Sequence, residues 1–368
     1  MNIPLIRPFL PDGTVQSVTE VLESRFLVEG PKTAKLEVET ASFLNAAHCV
    51  AVDSCTTGLE MALRCLEIGV GDEVIIPDYT FPATGLAVLA VGATPVLVDV
   101  DPKTMNIDMT AIEAAITSST KAIMPVSTFG NPLDYDALDD LKNKHGVYVV
   151  EDAACAFGAE FKGVRVGSQA DIAVFSLHPR KFITSARGGL ITTENKAWAD
   201  WLRSYKCFGK GGQVTRANTV FDQMGANAML PDVLSAIALS QMAVVDEMLA
   251  KRLELAARYE SLLGGVPGIE FPGVVPEGMH SRQSFCIFID NRDRVMETMR
   301  GMGVEVQIGT YALHQHAIFC KNEAVRIEGS MEGSKWAFDH CLTLPLYHEM
   351  SISEQDEVVR LLISCLSK

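Results

Sequence analysis

A lysine in a short polar loop between two apolar strands carries the most chemical interest in this chain. Residues 171–193 read DIAVFSLHPRKFITSARGGLITT. The pattern predicts a buried strand over 172–175, a loop over 176–187 and a second strand over 188–193 that starts on two glycines. Ser176, His178 and Lys181 then share one turn. An ordinary loop lysine is a solvated cation, but this one has a counterpart upstream. Residues 147–154, VYVVEDAA, form another apolar strand that ends on Glu151 and Asp152. Strand ends in an open α/β sheet are where ligands bind. A strand-end aspartate, a strand-end lysine and a phosphate-sized polar residue, Ser176, are the parts pyridoxal phosphate needs. The amine forms the Schiff base, and the carboxylate keeps the pyridine nitrogen protonated so that the ring acts as an electron sink.

The elements that must position these groups alternate along the chain. Helices are expected over 13–25 and 33–46 as an N-terminal packing arm, followed by a strand at 49–52 and a helix to about 67. Strands at 73–76, 95–98 and 122–126 alternate with a short helix within 79–98, a helix from about Asp108 and one over 134–144, which reads as a mostly parallel sheet with helices on both faces. A helix over 198–205 precedes a glycine-rich, basic stretch at 207–218 that reads as a mobile loop. A helix over 233–248 and a long helix over 244–263 lead into a smaller α+β part, with a strand at 284–289, a helix at 292–302, a strand at 304–307 and a last helix at 353–366. The expected division is 1–244 for the large domain and 245–368 for the small one.

Composition narrows the function classes. The chain has 368 residues, 48% of them hydrophobic, enough for a large core. A net charge of −15 argues against a general nucleic-acid binder, though not against a local anion site. The nine cysteines lack the close pairing of a zinc site or a disulfide scaffold, which fits a reducing, cytoplasmic setting. The N-terminus has no basic start followed by an apolar run, so no secretory signal is expected. The uncharged stretch 79–98 is divided by Pro82, Gly85, Gly92 and Pro95, so buried core is the better reading and no membrane span is expected. His314 and His316 have no acidic sequence neighbours, and no metal site is expected.

Four motifs, FSLHPRK-x-x-T-x-x-x-GG, EDAACA-x-G-A-x-x-KG, GDEVIIPDYTFPAT and GATPVLVDVDPKTMNID, resemble the DegT/DnrJ/EryC1/StrS family of sugar aminotransferases, from about residue 3 to 362. The resemblance implies a fold-type-I pyridoxal-phosphate enzyme, with a large mostly parallel mixed sheet flanked by helices and a smaller α+β C-terminal domain. It implies Lys181 and Asp152 as catalytic groups. Thr56, Thr57 and Ser176 match the phosphate cup, Phe81 the aromatic ring against the cofactor face, Cys155 another cofactor neighbour, and Asn227 the residue that reaches the phosphate of a neighbouring subunit. Arg187, Tyr311 and His314 fall on the substrate side. The implied reaction moves an amino group from glutamate or glutamine to a keto group of a nucleotide-activated deoxy sugar, in a homodimer with shared active sites.

Covalent capture of the cofactor needs a neutral amine, so a lowered Lys181 pKa is expected. Three departures from the family pattern stand out: Cys155 in place of glutamine, Arg187 in place of an acid, and Met229 in place of a base. They leave the cofactor core intact and the acceptor open, an unusual sugar or a non-sugar ketone included. The rival readings are a sugar dehydratase of the same family, in which histidine replaces the Schiff-base lysine, and a non-catalytic member that keeps only the fold.

Overall fold

The computed structural model describes residues 2–211 and 218–366. Its centre is an eight-stranded sheet in the order His48–Val52, Gly189–Thr193, Ile172–Ser176, Tyr148–Asp152, Thr120–Ile123, Glu73–Pro77, Thr94–Val98, Arg326–Glu328. Neighbours are parallel except where Gly189–Thr193 runs against both of its partners. Runs such as Val74, Ile75 and Ile76, or Ile172, Ala173 and Val174, are fully buried because helices cover both faces of the sheet. Parallel strands held this way end together at their C-terminal edge, and that is what brings Asp152 and Ser176 side by side.

Local chemistry sets the helix starts. Ser54 caps Cys55–Cys65 by accepting from the Thr57 amide at 3.1 Å, and Asp108, Asp134 and Asn195 cap the helices that follow them. The helix Pro31–Leu44 has no side-chain cap of its own, since Gly30 precedes it. Its cap comes from the distant Asp232, which accepts from the amides of Gly30, Lys32 and Thr33 at 2.8, 3.1 and 2.8 Å. The N-terminal arm is thereby tied to the helix Asp232–Met242.

The single helix expected over 233–248 is two. Asp232–Met242 ends in a tight turn at Ala243 and Val244, and Val245–Leu263 leaves at 63° to it. Buried Gln241, turned inward to bond Thr184, fixes the end of the first helix. We propose the domain division at this bend. Beyond it, Phe285–Phe288, Cys341–Leu344 and Gln307–Ile308 form a small antiparallel sheet packed on Val245–Leu263, Arg292–Gly301 and Ile352–Leu366. The strand expected at 304–307 forms its ladder at Gln307–Ile308 instead, because Val304 is taken up by a bridge to Ile3. The chain then returns to the large sheet, where Arg326–Glu328 adds an edge strand beside Thr94–Val98. The loop expected over 207–218 is partly ordered by a short ladder between Lys210–Gly211 and Val220–Phe221; its remainder at 212–217 lies outside the described residues. The stretch 79–98 divides into Tyr79–Thr80, the helix Ala83–Ala90 and the strand Thr94–Val98. Among the described residues no single helix is long and apolar enough to cross a membrane.

Glu151 is fully buried between the Ser127 hydroxyl at 2.5 Å and the Tyr135 hydroxyl at 2.9 Å. Burial pushes its pKa up to about 7 against the pull of those two hydroxyls. The stability it contributes is present below the unfolded-state carboxylate pKa and is lost as pH rises through about 7. The difference in unfolding free energy between Glu151→Gln and wild type is therefore expected to rise in favour of the variant between about pH 5 and pH 8. Urea titrations across that range check the slope.

Candidate active site

The turn after Ile172–Ser176 is built by its own backbone. The His178 amide meets Ser176 Oγ at 3.3 Å, the Arg180 amide donates to His178 Nδ1 at 3.2 Å, and the Lys181 amide donates to the His178 carbonyl at 2.8 Å. His178 thus shapes the turn, and burial followed by the nearby Lys181 and Arg180 charges lowers its pKa. The turn presents Lys181 Nζ 3.0 Å from Cys155 Sγ. Asp152 is 5% exposed; its carboxylate accepts from Thr84 Oγ1 at 2.8 Å and from the Ala154 amide at 3.2 Å.

Electrostatics departs from the sequence expectation at Lys181. Burial pulls its pKa down, but the Cys155 and Cys55 thiols and the Asp152 carboxylate act the other way and prevail, so the net direction is up, not down. The loss of water is readable from sequence, but the acidic neighbours are not: Cys55 follows His48–Val52, Asp152 and Cys155 lie at the end of Tyr148–Asp152, and only the fold brings both segments to Lys181. Burial first, then Asp152, pushes the Cys55 thiol pKa well up, against the pull of Lys181. Burial raises the pKa of Asp152, while Thr84, the Ala154 amide and Lys181 oppose it.

The remaining candidates are placed as follows. Thr56 and Thr57 lie in the first turn of Cys55–Cys65, where the Thr57 hydroxyl pairs with Ser54 Oγ at 2.8 Å. Among the described residues the Cys55 and Thr56 amides meet no acceptor, as expected for first-turn donors. Gly189 runs directly beneath this turn: a Cβ there would lie 2.7 Å from the Cys55 nitrogen, so only glycine permits the approach. Phe81 is 63% exposed with its ring centroid 6.1 Å from that of Tyr311. Tyr311 pairs with Thr80, whose hydroxyl meets Thr84 Oγ1 at 3.0 Å, so Tyr311 is wired to the Asp152 wall. His314 Nδ1 lies 2.6 Å from Asp78 Oδ2. Arg187 extends to Asp53, with Nε 3.2 Å from the carbonyl and Nη2 3.6 Å from Oδ2. Asn227 is exposed and makes a backbone bridge to Cys207, while Met229 bridges to Val52.

The residues present fit pyridoxal phosphate. A buried carboxylate and a half-buried amine occupy neighbouring strand ends, and among the described residues neither has an ion-pair partner within reach. A protonated ring nitrogen would answer the first and a covalent bond the second, with unpaired amides and a serine at hand for a phosphate.

Several supporting residues had no signal in the sequence. Gln283, nearly fully buried, brackets Lys181: its Oε1 accepts from the Phe182 amide at 2.7 Å and its Nε2 donates to the Arg180 carbonyl at 2.8 Å. Gln241 does the same at Thr184, accepting from its amide at 3.1 Å and donating to its carbonyl at 2.6 Å. Arg252 in turn donates to the Arg282 and Gln283 carbonyls at 3.1 and 3.0 Å. The C-terminal part thus fixes the loop that carries Lys181. Gln283→Leu orphans the buried Phe182 amide, at about 1–3 kcal/mol, and frees the part-buried Arg180 carbonyl, so a lower melting temperature and a lower kcat are expected together, checked by calorimetry and initial rates. A buried glutamine inside the apolar run 233–245 was the one available hint for Gln241.

Lys181 with the buried Asp152, on neighbouring strand ends at the carboxyl edge of such a sheet, is the pair a pyridoxal-phosphate aminotransferase fold presents, and solved structures agree. DesV from S. venezuelae has a TM-score of 0.91 and 30% identity, covering 100% of this chain and 99% of that one. The putative sugar aminotransferase Spr1654 from Streptococcus pneumoniae, in its PLP form, has a TM-score of 0.92 and 25% identity, covering 100% and 99%. The spore coat polysaccharide biosynthesis protein SpsC of Bacillus subtilis (strain 168) is 33% identical over 97% of this chain and 95% of that protein. The chain matches the DegT/DnrJ/EryC1/StrS aminotransferase family over residues 11–363, and it belongs to that family. It is an aminotransferase.

Proposed function

We propose that this aminotransferase uses pyridoxal phosphate to move an amino group from glutamate or glutamine to a keto group of a nucleotide-activated deoxy sugar, in the cytoplasm. The observation that carries the reading is the pair of half-buried Lys181 and buried Asp152 at adjacent strand ends, without ion-pair partners among the described residues. The sugar and polysaccharide terms in the names of Spr1654 and SpsC support the acceptor class. Bound in this site, the cofactor supplies an electron sink. Lys181 Nζ would anchor it and, once released, would take the proton from the donor's carbon as base and give it up on the cofactor side as acid. Asp152, held by Thr84 and the Ala154 amide, faces the ring nitrogen with negative charge. Ser176, Thr56 and Thr57 with the first-turn amides would hold the phosphate, and Phe81 would pack against the ring. Lysine at position 181 disfavours the dehydratase reading, which needs histidine there.

We also infer a homodimer with shared sites. Val15, Phe26, Val38, Phe221 and Met224 are large apolar side chains left exposed on the N-terminal arm and the 220–224 segment, and Asn227 lies beside the latter. The test is a visible spectrum of the cofactor-loaded protein on addition of glutamate, then glutamine, followed by a panel of keto sugars carrying UDP or dTDP. Loss of the lysine-linked band with one donor and its return with one acceptor supports the reading. A band that no amino donor changes refutes it. Light scattering reports the assembly.

A further inference from the structure

The best-built side-chain cluster outside the lysine turn surrounds Asp78, at the carboxyl end of Glu73–Pro77. This residue is 0% exposed. Its Oδ1 accepts from the His314 amide at 2.7 Å, and its Oδ2 takes both His314 Nδ1 at 2.6 Å and the Ser334 hydroxyl. Its carbonyl accepts from the Leu313 amide at 2.9 Å. The 311–316 segment is therefore nailed to the sheet edge through one carboxylate. Asp99 accepts from the Gly333 and Ser334 amides and so fixes the hydroxyl donor in place.

This cluster is continuous with the cofactor wall. Asp152 bonds Thr84, Thr84 bonds Thr80, and Thr80 pairs in register with Tyr311, three residues before His314. The His314 ring is only partly covered, and with Nδ1 committed to Asp78 its remaining nitrogen, Nε2, is the free one. A ring held by a carboxylate at Nδ1 presents N–H at Nε2 in a set orientation, the arrangement that stabilises an imidazolium.

Building on the aminotransferase reading, we propose that Asp78 and Ser334 are positioning residues that hold His314 as a fixed cationic N–H donor for a phosphate group of the acceptor substrate. Supporting this, the Asp78 bond, burial acting in the opposite sense, and the Asp78 charge together leave the His314 pKa raised. The charged groups around the ring are Asp78 beyond Glu73–Pro77, Asp99 beyond Thr94–Val98, and Lys335 on Glu332–His340; Asp99 favours the cation and Lys335 opposes it. Binding that depends on this cation fades as pH rises through the raised pKa.

The experiment is calorimetric titration of the cofactor-loaded protein with UDP, uridine and inorganic pyrophosphate, from pH 6 to pH 9, in wild type, His314→Gln, Asp78→Asn and Ser334→Ala. In parallel, NMR follows the His314 imidazole. The expected result is at least about tenfold tighter binding of UDP or pyrophosphate at pH 6 than at pH 9 in wild type, with that dependence lost in His314→Gln. In Asp78→Asn the same transition and the imidazole pKa both move down. His314 is partly exposed, so the Gln variant keeps the readout secure if Asp78→Asn folds poorly. Phosphate affinity with the same pH profile in His314→Gln, or an imidazole pKa unmoved by Asp78→Asn, overturns the proposal. Spectral change with an amino donor tests the aminotransferase reading separately, so a protein that passes that test and fails this one loses only the phosphate role of His314.

Discussion

Lys181→Ala is expected to lower amino transfer by about 10⁴-fold or more, because one amine both anchors the cofactor and moves the proton, and proton transfer alone is worth about 10²–10⁴-fold. The protein should still fold. Among the described residues Nζ hydrogen-bonds Cys155 Sγ alone, and the backbone of the turn is held by Ser176, His178 and Gln283 independently of the side chain. The melting temperature without cofactor should therefore shift by no more than about 3 °C. Absorption of the protein after gel filtration with pyridoxal phosphate is the direct check: wild type retains a visible band and the variant does not. A variant that turns over at more than a hundredth of the wild-type rate would remove Lys181 from the centre of the mechanism.

Asp152→Asn is expected to separate function from stability. Replacing a charge with a neutral amide opposite the ring nitrogen removes electrostatic support of the kind worth about 10²–10³-fold in rate. The fold should respond in the opposite sense. Burial raises the pKa of Asp152, so the stability it contributes is present below the unfolded-state pKa and is lost as pH rises through the folded one. An asparagine avoids that loss: its oxygen can keep the Ala154 amide, and its amide can face the Thr84 hydroxyl, which is free to turn toward Thr80. Without cofactor, the variant should melt higher than wild type at pH 7 to 8, by an amount that grows from acid to neutral pH. With cofactor, the order should reverse, because only the carboxylate gains a cationic partner. Thermal scans with and without pyridoxal phosphate at three pH values decide it, and an unchanged order in the two states would contradict the assigned role.

The strands that carry the site were legible because their chemistry is local. A run such as Val-Tyr-Val-Val ending in Glu-Asp, or Ala-Val-Phe ending in Ser, announces a buried strand with polar groups at its end whatever the rest of the chain does. The glycines at 188 and 189 were readable for the same reason. The start of a long helix near 244 was legible, but the end of the preceding one at Met242 was not, because the residues there suit a helix throughout; a long-range bond from Gln241 to Thr184 decides it. The edge strand Arg326–Glu328 was equally silent, being short and charged at both ends.

By itself, then, the sequence determined the alternation of elements, the parallel sheet, and the lysine, aspartate and serine at its edge, since each follows from hydrophobic period and turn chemistry within a few residues. Tertiary structure alone decided the environment of those groups. The thiols that raise the Lys181 pKa, the glutamines that bracket its turn, the threonine on Asp152 and the Asp78–Ser334 grip on His314 come from segments far apart in sequence. Charge and hydrogen bonding act through space, and only the folded chain sets those distances.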